Sequence, residues 1–384
     1  SKEHPGAMLM PQGLGSCLLA YLGPPDIAVL AAAGTATRSL AAPDGSLLVP
    51  ALAVDLQRWP FALSRIEALQ VEELSLHWAD DQDSFQVASG LYVMGWLSSF
   101  LSVEKNRSRL RKLHLGAQDL SRRFPEAIGG FLTSLKQTRL EELSTGLLTP
   151  ALLPLLGGFR HLHSLCLPVE CRGPDSYVTA WEAVAKCPSL RALSLFAQGK
   201  AMKVEGEKLE RISTAVRSME LESLQVNVTA LQGGLGQLRW PKELRSLRVL
   251  GEDFCRGVAD LCSGGFAERL CETAIEDLHL DSWRGLSSRG FSRILAAMAG
   301  SQLKRLQISW LRSPGRHVFA MLAGFIEAAV CLRQMVLDIP PGQEWSVDPD
   351  AFHLEEVALR RDVSILWCGG GPLVQDLEVE IVVL

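Results

Sequence analysis

The sequence predicts an α/β solenoid, in which short parallel strands alternate with helices along the chain. Three observations lead to this prediction. A six-residue apolar pattern recurs twelve times, and segments with helical spacing of apolar residues lie between the copies. The composition, 47% hydrophobic and 21% charged, is typical of a folded chain. A chain of 384 residues buries enough surface to fold without disulfides or metals.

The first segment, residues 1–58, contains no copy of the pattern and is predicted to be helical. Two short apolar stretches are separated by Gly23, Pro24 and Pro25, and Asp26 can cap the second helix. Because the two helices carry almost no charge, we expect them to pack on another surface. We therefore divide the chain into a helical segment, 1–58, and a repeat domain, 59–384, of about twelve irregular repeats.

The strands are predicted from the pattern apolar-x-x-apolar-x-apolar, as in Leu190-Arg-Ala-Leu193-Ser-Leu195. The residues between its apolar positions should face away from the core, because side chains alternate across a strand. The copies begin at Val71, Leu110, Leu140, Leu162, Leu190, Leu221, Leu244, Ile275, Leu303, Leu332, Leu354 and Val374. Such a hexamer is common in any leucine-rich chain, whereas twelve in near-register indicate a repeat architecture.

The helices are predicted between the strands. Apolar residues at helical spacing favour helices over 124–135, 177–186, 206–217, 291–298 and 318–330, and Pro125 stands in the first turn of the first of these. Strands joined by such crossovers form a parallel sheet covered by helices on one side.

The repeat domain resembles the leucine-rich-repeat family, and most closely its long-repeat, ribonuclease-inhibitor-like type. The copies are about 27.5 residues apart on average, within the family's range. The resemblance covers roughly residues 60–384 and implies a horseshoe with parallel strands on the concave side and helices on the convex side. The Asn or Cys that usually follows the hexamer is missing, which implies irregular turns.

In the N-terminal segment, Pro11 precedes an apolar run that ends in Tyr21-Leu22, and Pro24 precedes Asp26-Ile27. This order resembles an F-box. That family has a Leu-Pro pair, an amphipathic run ending in Tyr-Leu, a turn containing Pro, then Asp-Leu and a further helix. The residues of this chain that follow the pattern are Pro11, Leu14, Leu18, Leu19, Tyr21, Leu22, Pro24, Asp26, Ile27, Leu30 and Leu40. Gly13, Gly34 and Thr37 depart from it.

The F-box resemblance implies a Skp-family adaptor as partner and a role as substrate receptor of a cullin–RING ubiquitin ligase. The residues implied to dock on the adaptor are Pro11, Leu14, Leu18, Leu19, Leu22, Pro24, Ile27 and Leu30. The alternative is a non-catalytic scaffold or assembly subunit whose first helices only cap the open end of the solenoid. In either case we expect a monomer outside its complex.

Charge and cysteine content narrow the environment and the partners. The chain has a net charge of −5, whereas a dedicated nucleic-acid-binding protein usually has an excess of basic residues. The nine cysteines include no Cys-x-x-Cys pair, which favours a reducing compartment, cytoplasmic or nuclear. No stretch is apolar enough for a membrane helix. From the charge we expect no nucleic acid as a partner, and from the absence of such a stretch we expect no membrane.

The concave face is the predicted surface for a protein partner. The candidate contact residues are His77, His114, Phe196, Asn227, Arg248, Asp277, His279, Asp281 and Trp310. Aromatic side chains such as Phe196 and Trp310 are frequent anchors of interfaces, although partly buried turn aromatics are an equal alternative. Asp277, His279 and Asp281 share one strand face, but without a fourth ligand we expect no metal.

The sequence contains no catalytic signature. No Gly-x-Ser-x-Gly elbow or phosphate loop is present, so we expect neither enzyme activity nor a cofactor. Cys166 is the one thiol worth testing for reactivity. A basic run from Lys105 to Lys112 is interpreted as the solvated rim of a loop entering a strand, and contact with phosphates or an acidic partner is the alternative.

Overall fold

The computed structural model describes residues 47–55, 69–77, 84–116, 124–198, 204–227, 235–250, 265–281, 288–310, 317–339 and 349–369. These residues belong to two compact units: the first reaches Glu170 and includes 183–190, and the second comprises 171–182 and the residues from Arg191 onward. The F-box-like pattern at 11–40 and the last hexamer, at 374–379, lie outside the described residues.

The first unit contains five strands that pair in parallel and in chain order. Its elements are β1 (Leu47–Asp55), β2 (Leu69–His77), α1 (Ser84–Ser102), α2 (Glu104–Arg109), β3 (Lys112–Leu115), α3 (Pro125–Leu135), β4 (Glu142–Ser144), a 3-10 helix (Pro150–Gly158) and β5 (Ser164–Glu170). Phe100, Phe131 and Leu74 are buried in its core.

The second unit repeats the same arrangement with seven parallel strands in chain order. Its elements are α4 (Pro174–Val184, whose last two residues are grouped with the first unit), β6 (Ala192–Gln198), α5 (Glu207–Ser218), β7 (Ser223–Asn227), a 3-10 helix (Leu235–Gln237), β8 (Ser246–Leu250), α6 (Phe266–Cys271), β9 (Asp277–Asp281), α7 (Ser288–Ala299), β10 (Arg305–Ser309), α8 (His317–Ala328), β11 (Gln334–Ile339), α9 (Pro349–Arg360) and β12 (Ser364–Gly369).

The apolar positions of the hexamer stack in register across neighbouring strands. Leu224 pairs with Leu247, Leu247 with Leu278, and Leu278 with Leu306, and all four are at most 1% exposed. Each such leucine contributes roughly 1.5–3 kcal/mol through removal of apolar surface from water. The apolar positions of the repeated hexamers therefore form a continuous buried layer across the strands.

A backbone ladder fixes the start of the strands. The carbonyl of the second hexamer residue accepts two N–H groups from the next copy: Glu222 O accepts from Arg245 N at 2.8 Å and from Ser246 N at 2.9 Å. Arg245 O accepts in the same way from Glu276 N at 2.7 Å and Asp277 N at 2.9 Å. These hydrogen bonds give partners to backbone N–H and carbonyl groups that lie just before the strands. They also keep successive copies in one register.

Within each unit the fold is the leucine-rich-repeat solenoid that the sequence predicts. Ten of the twelve hexamers coincide with strands, β2 to β11, and all five predicted helices coincide with α3, α4, α5, α7 and α8. Within the described residues, no helix combines the length and apolar character that crossing a membrane requires.

The hexamer beginning at Leu354 does not form a strand, and that prediction is wrong. It lies in α9, where Leu354 and Val357 are buried and Leu359 is 85% exposed. Apolar residues three apart suit a helix as well as the hexamer, and Pro349 and Asp350 in the first turn favour the helix. The strand of this repeat is β12, which follows Asp362 in the left-handed region at φ 56°.

Strand β1 is an addition to the predicted elements, and it lies within the range 1–58 assigned to a helical segment. Its residues Val49, Leu52 and Val54 pair with Val71, Leu74 and Leu76 of β2, so they form a further copy of the hexamer. Pro50 conceals this copy because proline is rare in strands and confined mostly to edges and bulges. The strand pattern therefore begins before residue 59.

Candidate protein-interaction surface

The candidate site is the open face of the sheet, meaning the side toward which the half-buried strand positions point. In β8 and β9 buried and half-buried residues alternate without exception, because successive side chains of a strand point to opposite faces. The buried set forms the core, so the other set is available to a partner. Six of the predicted contact residues belong to this second set, whereas Asn227 is buried and Trp310 follows the end of its strand. The six are His114, Phe196, Arg248, Asp277, His279 and Asp281.

In the first unit, one lysine connects three strands of the open face. The ammonium Nζ of Lys112 lies 3.0 Å from Glu142 Oε1 and 3.9 Å from Glu73 Oε2, and the hydrogen bond to Glu142 raises the pKa of Lys112. His114 is half-buried on the same strand, with Ser75 and Ser144 opposite in the register. His77 ends β2 and pairs with Asp55 of β1.

Cys166 of β5 is half-buried and pairs in the register with Ser144 of β4. Burial raises its pKa, and a hydrogen bond with Ser144 opposes that shift only in part. A thiol with a raised pKa has little of the thiolate form that reacts. The structure thus gives no support to a reactive cysteine at this position, and the six cysteines of the described residues form no disulfide.

In the second unit, Phe196 and Asn227 have different environments. Phe196 is half-buried on β6 and presents part of its ring to the open face. Asn227 is only 3% exposed: its Nδ2 donates to Ala197 O at 2.8 Å, and its Oδ1 accepts from Ala197 N at 3.0 Å. This amide serves the backbone of the neighbouring strand, which the prediction of a contact residue did not foresee.

An ion pair joins β8 to β9. Arg248 Nη2 lies 2.6 Å from Asp281 Oδ2, and the Asp281 side chain is 18% exposed. Arg248 pairs in the register with His279, so the guanidinium reaches diagonally to the next open-face position. A charge pair of this geometry is more ordered than two separate surface charges.

His279 is a neutral histidine at physiological pH. Burial lowers its pKa to about 4, and the positive charges of Arg248 and Arg305 add to this effect while Asp281 opposes it. Its Nε2 lies 3.4 Å from Ser309 Oγ on β10. A general base works best with a pKa near the operating pH, so this histidine is better suited to hydrogen bonding than to proton transfer.

Asp277 and Trp310 complete the predicted set. Burial raises the pKa of Asp277, and Arg305, its partner in the register, opposes that shift. Trp310 follows β10 directly, is half-buried, and donates its backbone N–H to Asp338 O at 2.9 Å. The structure therefore brings Arg248, Asp277, His279 and Asp281 together on adjacent strands, with Trp310 at the end of the next one.

The described part of the chain contains no group of three His, Cys, Asp or Glu side chains arranged to hold a metal. Asp281 is committed to Arg248, and His279 contacts Ser309. Two further residues take part in this surface. Arg305 is exposed at an open position of its hexamer, and Ser309, which directly follows the hexamer, is buried. Strand alternation places both on the same side of β10.

The comparisons with known proteins find similar solved structures but no matching family or curated protein. No protein-family model matches the chain, and no curated protein matches it. Among solved structures, the leucine-rich-repeat-containing protein LegL7 from Legionella pneumophila is similar over 63% of this chain and 78% of its own, with 14% sequence identity and a TM-score of 0.40.

Proposed function

We propose that this protein binds a protein partner through the open face of β8, β9 and β10. The observation that carries the proposal is the ordered polar strip formed by Arg248, His279 and Asp281 on β8 and β9, with the half-buried Trp310 directly after β10. Arginine and tryptophan are enriched at the centres of interfaces. Repeat folds of this kind characteristically offer extended binding surfaces rather than catalytic pockets.

The finer proposal is a substrate receptor of a cullin–RING ubiquitin ligase. It is supported by the sequence resemblance of residues 11–40 to an F-box, directly before the first strand of the repeats. In this role Leu14, Leu18, Leu22 and their apolar neighbours bind a Skp-family adaptor, and the open face selects the substrate. The receptor then raises the effective concentration of substrate at the ligase and performs no chemistry itself.

Co-purification with a Skp-family adaptor tests the finer proposal. The full chain is co-expressed with the adaptor as wild type, as Leu22→Asp and as Leu359→Asp. Leu359 is 85% exposed on α9, so the same substitution there is a matched control. We expect a complex with wild type and Leu359→Asp, and none with Leu22→Asp.

The scaffold is the second candidate function, and β1 favours it. The hexamer pattern already begins in Leu47–Asp55, so the apolar segment before it stands where a solenoid needs a cap. A folded wild-type chain that binds no adaptor supports this candidate. In that case Leu22→Asp lowers the free energy of unfolding instead of abolishing a complex.

A further inference from the structure

The basic run from Lys105 to Lys112 is divided by the fold among different surroundings. Helix α2 (Glu104–Arg109) ends just before β3, so the run turns from a helix into a strand. Arg107 forms an ion pair with Glu104, and its Nη1 donates to Gln137 Oε1 at 2.9 Å. Lys112 lies on the open face between two glutamates. These two cations are neutralised by neighbours.

The other three cations of the run line one pocket. Lys105, Arg109 and Arg111 surround a cavity of about 390 Å³ whose remaining walls are Gln70, Glu72 and Ser108. All six side chains are polar, and β2 and α2 supply two of the walls. The lining of the pocket therefore includes three cationic side chains and one carboxylate, that of Glu72, and Arg111 also lies near Glu141 outside the lining.

The guanidinium of Arg111 is held in position within this pocket. Its Nη1 donates to Arg139 O at 3.2 Å, and its Nε lies 3.7 Å from Glu141 Oε1. Arg109 is exposed, and no ion pair joins it to another residue of the described parts of the chain. One arginine is thus held in position and the other is exposed to solvent, and guanidinium groups suit anions that accept several hydrogen bonds.

We propose that this pocket binds the phosphate group of a phosphorylated protein partner. Two guanidinium groups match the oxygens of one phosphate group. Nucleic acid is less favoured, because the pocket has no aromatic wall for base stacking and the chain carries a net charge of −5. The proposal is independent of the adaptor and of the open face of the second unit.

Fluorescence polarisation on the full chain tests this site. The probe is a rhodamine-labelled, alanine-rich peptide with one central phosphoserine, compared with the same peptide carrying serine. We expect the phosphorylated peptide to bind at least tenfold more tightly, and unlabelled inorganic phosphate to compete with it. Binding should weaken as salt rises, because the site is accessible to solvent.

Three variants separate this pocket from general charge attraction. Arg109→Gln should weaken phosphopeptide binding about tenfold or more, whereas Glu72→Gln should strengthen it severalfold by removing the one carboxylate of the pocket. Arg217→Gln, which removes an exposed arginine at the end of α5, should leave binding unchanged. All three positions are exposed, so the variants are expected to fold, and circular dichroism checks this.

Three outcomes overturn the proposal. The first is equal affinity for the two peptides, and the second is an equal loss of binding in Arg109→Gln and Arg217→Gln. The third is tight binding of a single-stranded RNA oligonucleotide that the phosphopeptide does not displace, which assigns the pocket to nucleic acid. Because no adaptor is present in the assay, none of these outcomes bears on the ligase-receptor proposal.

Discussion

Asn227 shows how a single polar side chain can hold two strands of this fold together. Its amide makes both a donated and an accepted hydrogen bond with the backbone of Ala197, and the site is buried. Loss of the amide leaves a buried N–H and a buried carbonyl without these partners, which is more costly than losing an exposed hydrogen bond.

Asn227→Ala should therefore lower the free energy of unfolding by about 2–4 kcal/mol. Gln225→Ala, two residues earlier on β7, is the matched control, because that half-buried amide makes one 3.2 Å bond with Ser194. It should cost less than about 1 kcal/mol. Urea denaturation of both variants measures the difference, and equal losses would contradict the structural role of Asn227.

His279 gives the protein a stability that depends on pH. Its pKa is about 4 in the folded chain and near 6.5 when unfolded, so between these values the unfolded chain binds a proton that the folded chain does not. The free energy of unfolding is unaffected above pH 6.5 and decreases as the pH falls toward 4. The slope from this group is at most about 1.4 kcal/mol per pH unit.

His279→Gln should reduce this slope between pH 6.5 and 4, as measured by urea denaturation across that range. Arg248→Gln should raise the pKa of His279, because Arg248 is one of the charges that lower it. Proton NMR titration of the ring measures the shift. An unchanged slope in His279→Gln would show that the folded ring binds its proton as readily as the unfolded one.

At the scale of elements, the last described repeat shows where a sequence pattern becomes ambiguous. Leu354, Val357 and Leu359 fit the hexamer as well as Leu332, Met335 and Leu337 do. In the hexamer all three would be buried, whereas in α9 the third faces solvent at 85% exposure. The segment begins with Pro349, which favours the first turn of a helix, and this feature rather than the apolar pattern distinguishes the helix from a strand.

Two substitutions in α9 test this assignment. Leu354→Ala should lower the free energy of unfolding by about 2–5 kcal/mol, because it opens a cavity at a fully buried site. Leu359→Ala should change it by less than about 0.5 kcal/mol, as exposed substitutions do. Thermal or urea denaturation distinguishes them, and a comparable loss in both variants would restore the strand interpretation.

At the scale of the whole molecule, the fold could be predicted because each repeat contributes the same buried layer. A pattern that recurs with Leu224, Leu247, Leu278 and Leu306 in register leaves few other architectures. The surface was less predictable, because alternation shows which residues face outward and not how they interact. Asn227 bonds to the backbone of Ala197, thirty residues earlier. The pocket is likewise lined by residues of both β2 and α2, which are distant in the sequence.

Hydrogen–deuterium exchange of the full chain, alone and with a purified Skp-family adaptor, tests the central claim most directly. We expect a stable complex, slower exchange in peptides covering residues 11–30, and unchanged exchange in β6 to β11. No complex with a folded chain, or protection confined to the strands, would contradict the proposed ligase-receptor role.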